Sequence, residues 1–237
     1  MRPLPLLTLL FALAFATAPL WSGQFDGFEA GQLPIPQEDP PIQPAGWAFA
    51  IWGVIYLGLV ASAAFGLWRR AEDPDWDRVR GPLLASLVLG TPWLWVAQQS
   101  AEWATVLIVP MTLTAIAALL RTPDRDTLLL RTPVGLYAGW LTAATFVSLA
   151  ALGAGYGVLT DALGWAFLGL PLALVVALAV LWQRPRAWAF AAAFAWALFG
   201  IAAKNGLAFP GVTLLALAGI ATVAAVAWAR GQDPQVA

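Results

Sequence analysis

The sequence predicts an all-α, polytopic transmembrane helix bundle of about eight spans, and three observations carry that expectation. Of 237 residues, 61% are hydrophobic and only 11% charged, with a mean hydropathy of +0.77. A soluble domain carries about 25% charged residues, because its whole surface meets water. Apolar runs long enough to cross a bilayer, about 20 residues at roughly 1.5 Å of rise each, recur along the chain. Basic residues fall almost exclusively into every second connection between those runs.

The elements follow in order. The first run, 4–21, comes after Arg2 and carries Ala16-Thr17-Ala18, so a cleavable secretory signal competes with a retained first helix. The segment 22–45 is rich in glycine and acidic residues, and Pro34, Pro36, Pro40, Pro41 and Pro44 predict an extended, irregular loop, either a lid over a cavity mouth or a tether. Further spans are predicted at 46–68, 82–98, 103–120, 133–154, 162–182, 187–203 and 210–229. None holds an internal charge, as expected where an ionised group in hydrocarbon is costly. Lipid offers the backbone no hydrogen-bond partners, so these runs must be helices rather than open strands. Pro92, Pro110 and Pro171 fall inside spans and predict kinks. Gly135 and Gly139 form a GxxxG that predicts a close helix contact.

The connections orient the bundle. Arg2, then Arg69, Arg70, Arg78 and Arg80, then Arg121, Arg125 and Arg131, then Arg184 and Arg186, then Arg230 fall on one side, and only Lys204 on the other. Cytoplasmic loops retain basic residues, so both termini are expected in the cytoplasm. The opposite connections carry Asp26, Glu29, Glu38, Asp39, Glu102 and Asp161.

Composition also narrows the chemistry. There is no cysteine and no histidine, which removes disulfides, thiolate metal sites and the commonest general base. A net charge of −1 gives no reason to expect a nucleic-acid partner. Fourteen tryptophans stand out. Trp21, Trp47, Trp68, Trp103, Trp165, Trp182, Trp188 and Trp228 lie at or near span ends, where an interfacial belt accounts for them. Trp76 falls in a connection. Trp52, Trp93, Trp95, Trp140 and Trp196 lie deeper and need another role. Phe49, Trp52 and Tyr56 share one face of the second helix; Tyr137, Trp140, Ala144 and Ser148 share a face of the fifth. Such faces are either dense helix packing or the walls of a slot for a planar apolar ligand.

The second span carries an ordered run, Pro44-Ala45-Gly46-Trp47-Ala48-Phe49-Ala50-Ile51-Trp52-Gly53-Val54-Ile55-Tyr56-Leu57. It resembles the signature of the tryptophan-rich sensory protein (TspO/MBR) family, which includes the mitochondrial translocator protein. Pro133, Tyr137, Trp140, Ala144 and Thr145 resemble that family's fifth helix, and Trp93 and Trp95 its third more loosely. Where the family carries asparagine in these two helices, Gly90 and Ser148 stand here. The resemblance covers residues 1–155, a five-helix unit, followed over 156–237 by three additional transmembrane helices. It implies a hydrophobic ligand, porphyrin- or sterol-like, held between helices under the first loop. The ligand-binding candidates are then Trp47, Phe49, Trp52, Tyr56, Trp93, Tyr137, Trp140 and Ser148.

A membrane-embedded ligand-binding protein with a sensory or regulatory role is the leading expectation. Its partners would be membrane lipid and a hydrophobic small molecule, in a bacterial inner (plasma) membrane, with a homodimer left open. A passive transporter of a lipophilic solute is the alternative, because no span holds the charge that ion coupling requires. Porphyrin-degrading photochemistry is a weaker alternative, resting on the resemblance alone; no catalytic constellation is visible, and the chain is not expected to be an enzyme. No tightly bound cofactor is expected, only a non-covalent porphyrin: without histidine or cysteine, and with Met111 the one methionine in a span, the chain lacks strong haem ligands. A reporter fused after Arg230 is expected in the cytoplasm and one inserted after Asp161 outside it; a cytoplasmic reporter at Asp161 would overturn the eight-span alternation.

Overall fold

The computed structural model describes residues 3–23 and 25–232. Arg2, counted above among the orienting residues, lies outside them. The described residues form eight long helices: α1 (Pro3–Ser22), α2 (Ile51–Arg69), α3 (Pro74–Gln99), α4 (Ala101–Leu120), α5 (Thr132–Gly155), α6 (Ala162–Gln183), α7 (Trp188–Asn205) and α8 (Pro210–Gly231). The connections contain the chemistry that starts each helix. Asp73, Ser100 and Asp161 cap α3, α4 and α6 by accepting the backbone N–H of Asp75, Trp103 and Gly164. Pro74, Pro133 and Pro210 sit in first turns, where a missing N–H costs nothing.

The helices match the predicted spans to within a few residues, with two exceptions: the second span opens with a 3-10 helix over Gly46–Ala50 before α2, and α3 starts early. Helix α3 begins at Pro74, well before the expected start at 82, because the Asp73 cap and Pro74 nucleate it inside the connection. Trp76, read from sequence as a loop residue, is therefore helical and 2% exposed. Its Nε1 donates to Asp126 at 3.0 Å, and its ring fills the space beside Gly66.

Seven helical segments are long and apolar enough to cross a membrane; α7 is not among them. It has 18 residues and ends in Lys204 and Asn205, which lower its hydropathy. Those side chains turn to protein rather than lipid, donating to the carbonyls of Pro40 and Pro41. At its other end Trp188 meets Trp228 of α8. Helix α7 thus runs from one end of the bundle to the other, like its neighbours.

Charge gathers at one end. Arg70 pairs with Asp126 at 2.8 Å, Arg80 with Asp77 at 2.7 Å, and Arg125 with Asp73 at 2.7 Å. Arg80 also donates to the carbonyls of Gly66 and Arg70, closing the α2–α3 turn. The Arg70 hydrogen bond holds the Asp126 carboxyl below the usual carboxylate range.

Helix α5 is the axis. Within its span 72% of residues are buried, against 28% to 44% in the other six candidate spans. It packs on α2, α4, α6 and α7. Buried hydroxyls tie α5 to its neighbours: Ser86 donates to the Met111 carbonyl, so Tyr137 donates to Ser86 at 2.8 Å. Thr112 and Thr145 join α4 to α5 at 2.6 Å. On the opposite side the GxxxG makes the close contact expected of it. A Cβ at Gly139 would stand 2.3 Å from the Phe190 carbonyl oxygen, and one at Gly135 3.1 Å from the Phe190 nitrogen. Gly139→Ala is expected to destabilise the bundle by about 1–3 kcal/mol, as overpacking does. Gly81→Ala, where a Cβ meets nothing within 4 Å, should be neutral or slightly stabilising. Thermal unfolding in detergent checks the pair; equal melting temperatures would mean that α5 and α7 are not in backbone contact.

Candidate functional site

At the end of the bundle opposite the arginines, the chain between α1 and α2 lies across the helix ends. Apart from 3-10 turns at Ala30–Gln32 and Gly46–Ala50, it is irregular, as its prolines predict. It is nonetheless fastened. The side-chain amide of Gln32 donates to the carbonyls of Ala97 and Gln98 on α3 at 3.1 and 3.0 Å. The Ile35 N–H donates to Gly155 at 2.8 Å and the Ala45 N–H to Gly200 at 3.1 Å. Lys204 pairs with Asp39 and donates to the Pro40 carbonyl, while Asn205 donates to that of Pro41 at 2.8 Å. Leu33 and Ile42 are buried beneath it. The segment is a roof pinned at its edges by α3, α5 and α7.

Two spaces lie beneath and beside this roof. The first is an interior chamber walled by Phe49 and Trp52 of the second span, Trp93, Trp140, Ser148 and Ala197, and covered by Phe25, Phe28 and Gln37. Its volume is about 50 Å³, room for a few waters, since each needs about 10–15 Å³. The second is a cleft between α1 and α2 of about 740 Å³, within the roughly 300–1,000 Å³ range of small-molecule sites. Phe15 and Pro19 line it from α1; Trp47, Gly53 and Tyr56 line it opposite, with Asp26 also on its wall. Phe25, Phe49, Trp52 and Trp93 line both spaces and form the partition between them.

That partition is an aromatic lattice. Phe49 and Trp52 stand edge-on to Trp140 with centroids 5.5 and 6.2 Å apart, and Phe25 stands edge-on to Trp93 at 5.1 Å. Trp52 stacks on Tyr56 at 5.2 Å, and Phe15 meets Tyr56 edge-on at 5.1 Å. Edge-to-face pairs of this kind add about 0.5–1.5 kcal/mol each beyond the area they bury.

Of the eight residues singled out from sequence, Phe49, Trp52, Trp93, Trp140 and Ser148 line the chamber. Trp47 and Tyr56 line only the cleft. Tyr137 lines neither: it is fully buried, its hydroxyl engaged by Ser86, and it supports Trp52 from behind. Two other deep tryptophans face outward. Trp95 is 54% exposed on the bundle surface, and Trp196, partly exposed, donates its Nε1 to the Ala48 carbonyl. The space beside Gly90 is filled by Phe15 and Met111, whose atoms lie 2.9 and 3.1 Å from where a Cβ would be. Ser148 is buried on the chamber wall, and the buried Gln37 Oε1 has no hydrogen-bond partner. Phe15, Phe25, Asp26, Gln37 and Ala197 were not anticipated, because they come from α1, the roof and α7.

A family model described as TSPO-like protein matches residues 6–229. The chain belongs to that family. The resemblance read from the second span is thereby borne out, and the match continues through α6, α7 and α8. No curated protein and no solved structure matches the chain. As a TSPO-like protein with seven segments long and apolar enough to span a bilayer, it is an integral membrane protein, and its outward apolar faces meet lipid.

Proposed function

We propose that this TSPO-like protein binds a hydrophobic, planar polycyclic ligand, porphyrin- or sterol-like, in a sensory or regulatory role, with the arginine-rich end in the cytoplasm. The observation that carries the reading is the shared wall. Phe49, Trp52 and Trp93 line both an interior chamber and an accessible cleft, beneath a roof fastened to three helices. Flat aromatic side chains give a rigid apolar ligand large contact area at little entropic cost. The chamber as it stands is too small for such a ligand. The cleft is large enough, and rotation of the partition rings would join the two volumes. The Ser148 hydroxyl on the chamber wall and the unpaired Gln37 Oε1 supply the few polar contacts that fix orientation in a mainly apolar site.

Passive movement of a lipophile is the second reading, favoured by the volume of the cleft and by its lining, which comes from α1 and the second span as well as from the roof. Flux into protein-loaded liposomes separates movement from binding.

Titrating a polycyclic ligand such as the dimethyl ester of protoporphyrin, which carries no free carboxylate, into detergent-solubilised variants tests the binding reading. Trp52→Leu and Trp140→Leu are expected to weaken binding by roughly 1 kcal/mol or more, the worth of a lost aromatic contact. Trp182→Leu and Trp228→Leu should leave affinity unchanged, since those indoles are 65% and 64% exposed at the arginine-rich end. Equal affinity in all four variants would remove the aromatic partition from the site.

A further inference from the structure

The charges around the cleft restrict what can enter it. No basic residue lines either space, and Asp26 is the one charged residue on the walls. Asp26 makes no side-chain hydrogen bond or ion pair with any other described residue; its backbone carbonyl accepts from Gln43. Around it this end of the bundle carries Glu29, Glu38, Asp39, Glu102 and Asp161 against the single Lys204, which Asp39 already engages. Such a one-signed field concentrates cations and repels anions. Seven of the thirteen cleft-lining residues are aromatic: Phe15, Phe25, Trp47, Phe49, Trp52, Tyr56 and Trp93. Aromatic walls beside a carboxylate are the pairing that recognises amines and quaternary ammonium groups, through the negative ring faces. Along the second span Gly46, Ala50 and Gly53 also line the cleft, and a Cβ on either glycine would meet nothing within 4 Å. These small residues open an apolar trough between the aromatic walls.

We propose that the α1–α2 cleft binds a lipophilic cation, its ammonium held between Asp26 and the aromatic walls and its apolar body lying along the Gly46–Ala50–Gly53 trough. The occupant is a small amphiphilic solute rather than a choline lipid, whose phosphate would have to sit at an end bearing six carboxylates and one lysine that is already paired. This rests on the ligand-binding reading above and narrows it by charge: a ligand carrying free carboxylates is the disfavoured case.

Three pyrene probes sharing one ring system and a four-carbon chain, ending in trimethylammonium, alcohol or carboxylate, test the proposal in an uncharged detergent. The full chain is expected to bind the ammonium probe roughly tenfold more tightly than the carboxylate, with the alcohol between, in line with a partly desolvated cation–π and carboxylate contact. Asp26→Asn, at an exposed position, should bring the ammonium and alcohol probes to nearly equal affinity while leaving the alcohol unchanged. Gly53→Leu should fill the trough and weaken all three. Carboxylate binding as tight as ammonium binding, or an ammonium preference untouched by Asp26→Asn, would overturn the cation assignment while leaving ligand binding intact. Binding unaffected by Gly53→Leu would place the site outside the cleft. Failure of all three probes to bind the parent would overturn the ligand-binding reading and the cation assignment with it.

Discussion

The backbone contact between α5 and α7 is the constraint on which the rest of this structure depends. Lipid supplies no hydrophobic force between helices, so small residues that let backbones approach must hold such bundles together. Gly139 gives that approach, with no room for even a methyl group against the Phe190 carbonyl. Once α7 lies this close, its remaining contacts follow along its length. Trp196 reaches the Ala48 carbonyl, Gly200 leaves space for Pro44 and Ala48, and Lys204 and Asn205 arrive beneath Pro40 and Pro41. A helix outside the five-helix unit read from the sequence therefore fixes the roof over the chamber and contributes Ala197 to its wall.

Membrane solvation made much of the fold legible. Spans announce themselves because backbone and side chain must both satisfy hydrocarbon over a set length. Departures occur where protein replaces lipid or water as the environment. Helix α3 starts early because Asp73 and Pro74 favour a helix irrespective of the bilayer, and Trp76 is buried by Asp126 and Gly66, which hydropathy cannot foresee. Helix α7 is marginal in hydropathy because Lys204 and Asn205 are solvated by loop carbonyls.

The site was legible only where helical periodicity applies. Phe49 and Trp52 share a face and Trp140 opposes them, as the spacing suggests. Periodicity cannot say how far along a face a cavity extends, so Tyr137, on the same stripe as Trp140, is packed solid against Ser86. Depth along a span is also no guide to direction: Trp95 lies two residues after Trp93 and consequently points away from it, to the surface. Phe25 and Gln37 reach the chamber from an irregular segment whose path is set by tertiary hydrogen bonds, and no local pattern encodes that path.

The roof is where these threads meet, since its fixity turns a set of aromatic side chains into a bounded candidate site. Amide hydrogen exchange of the full chain in detergent or lipid discs, read over the segment between α1 and α2, measures that fixity directly. The expected result is protection of the Ile35 and Ala45 amides, which donate to Gly155 and Gly200. Asn205→Ala should raise exchange across the segment roughly tenfold, the effect of losing about one buried hydrogen bond, with α3 and α4 unchanged. Exchange of the segment at the rate of an unstructured peptide in the parent, or a rate indifferent to Asn205→Ala, would contradict a roof held in place by α7.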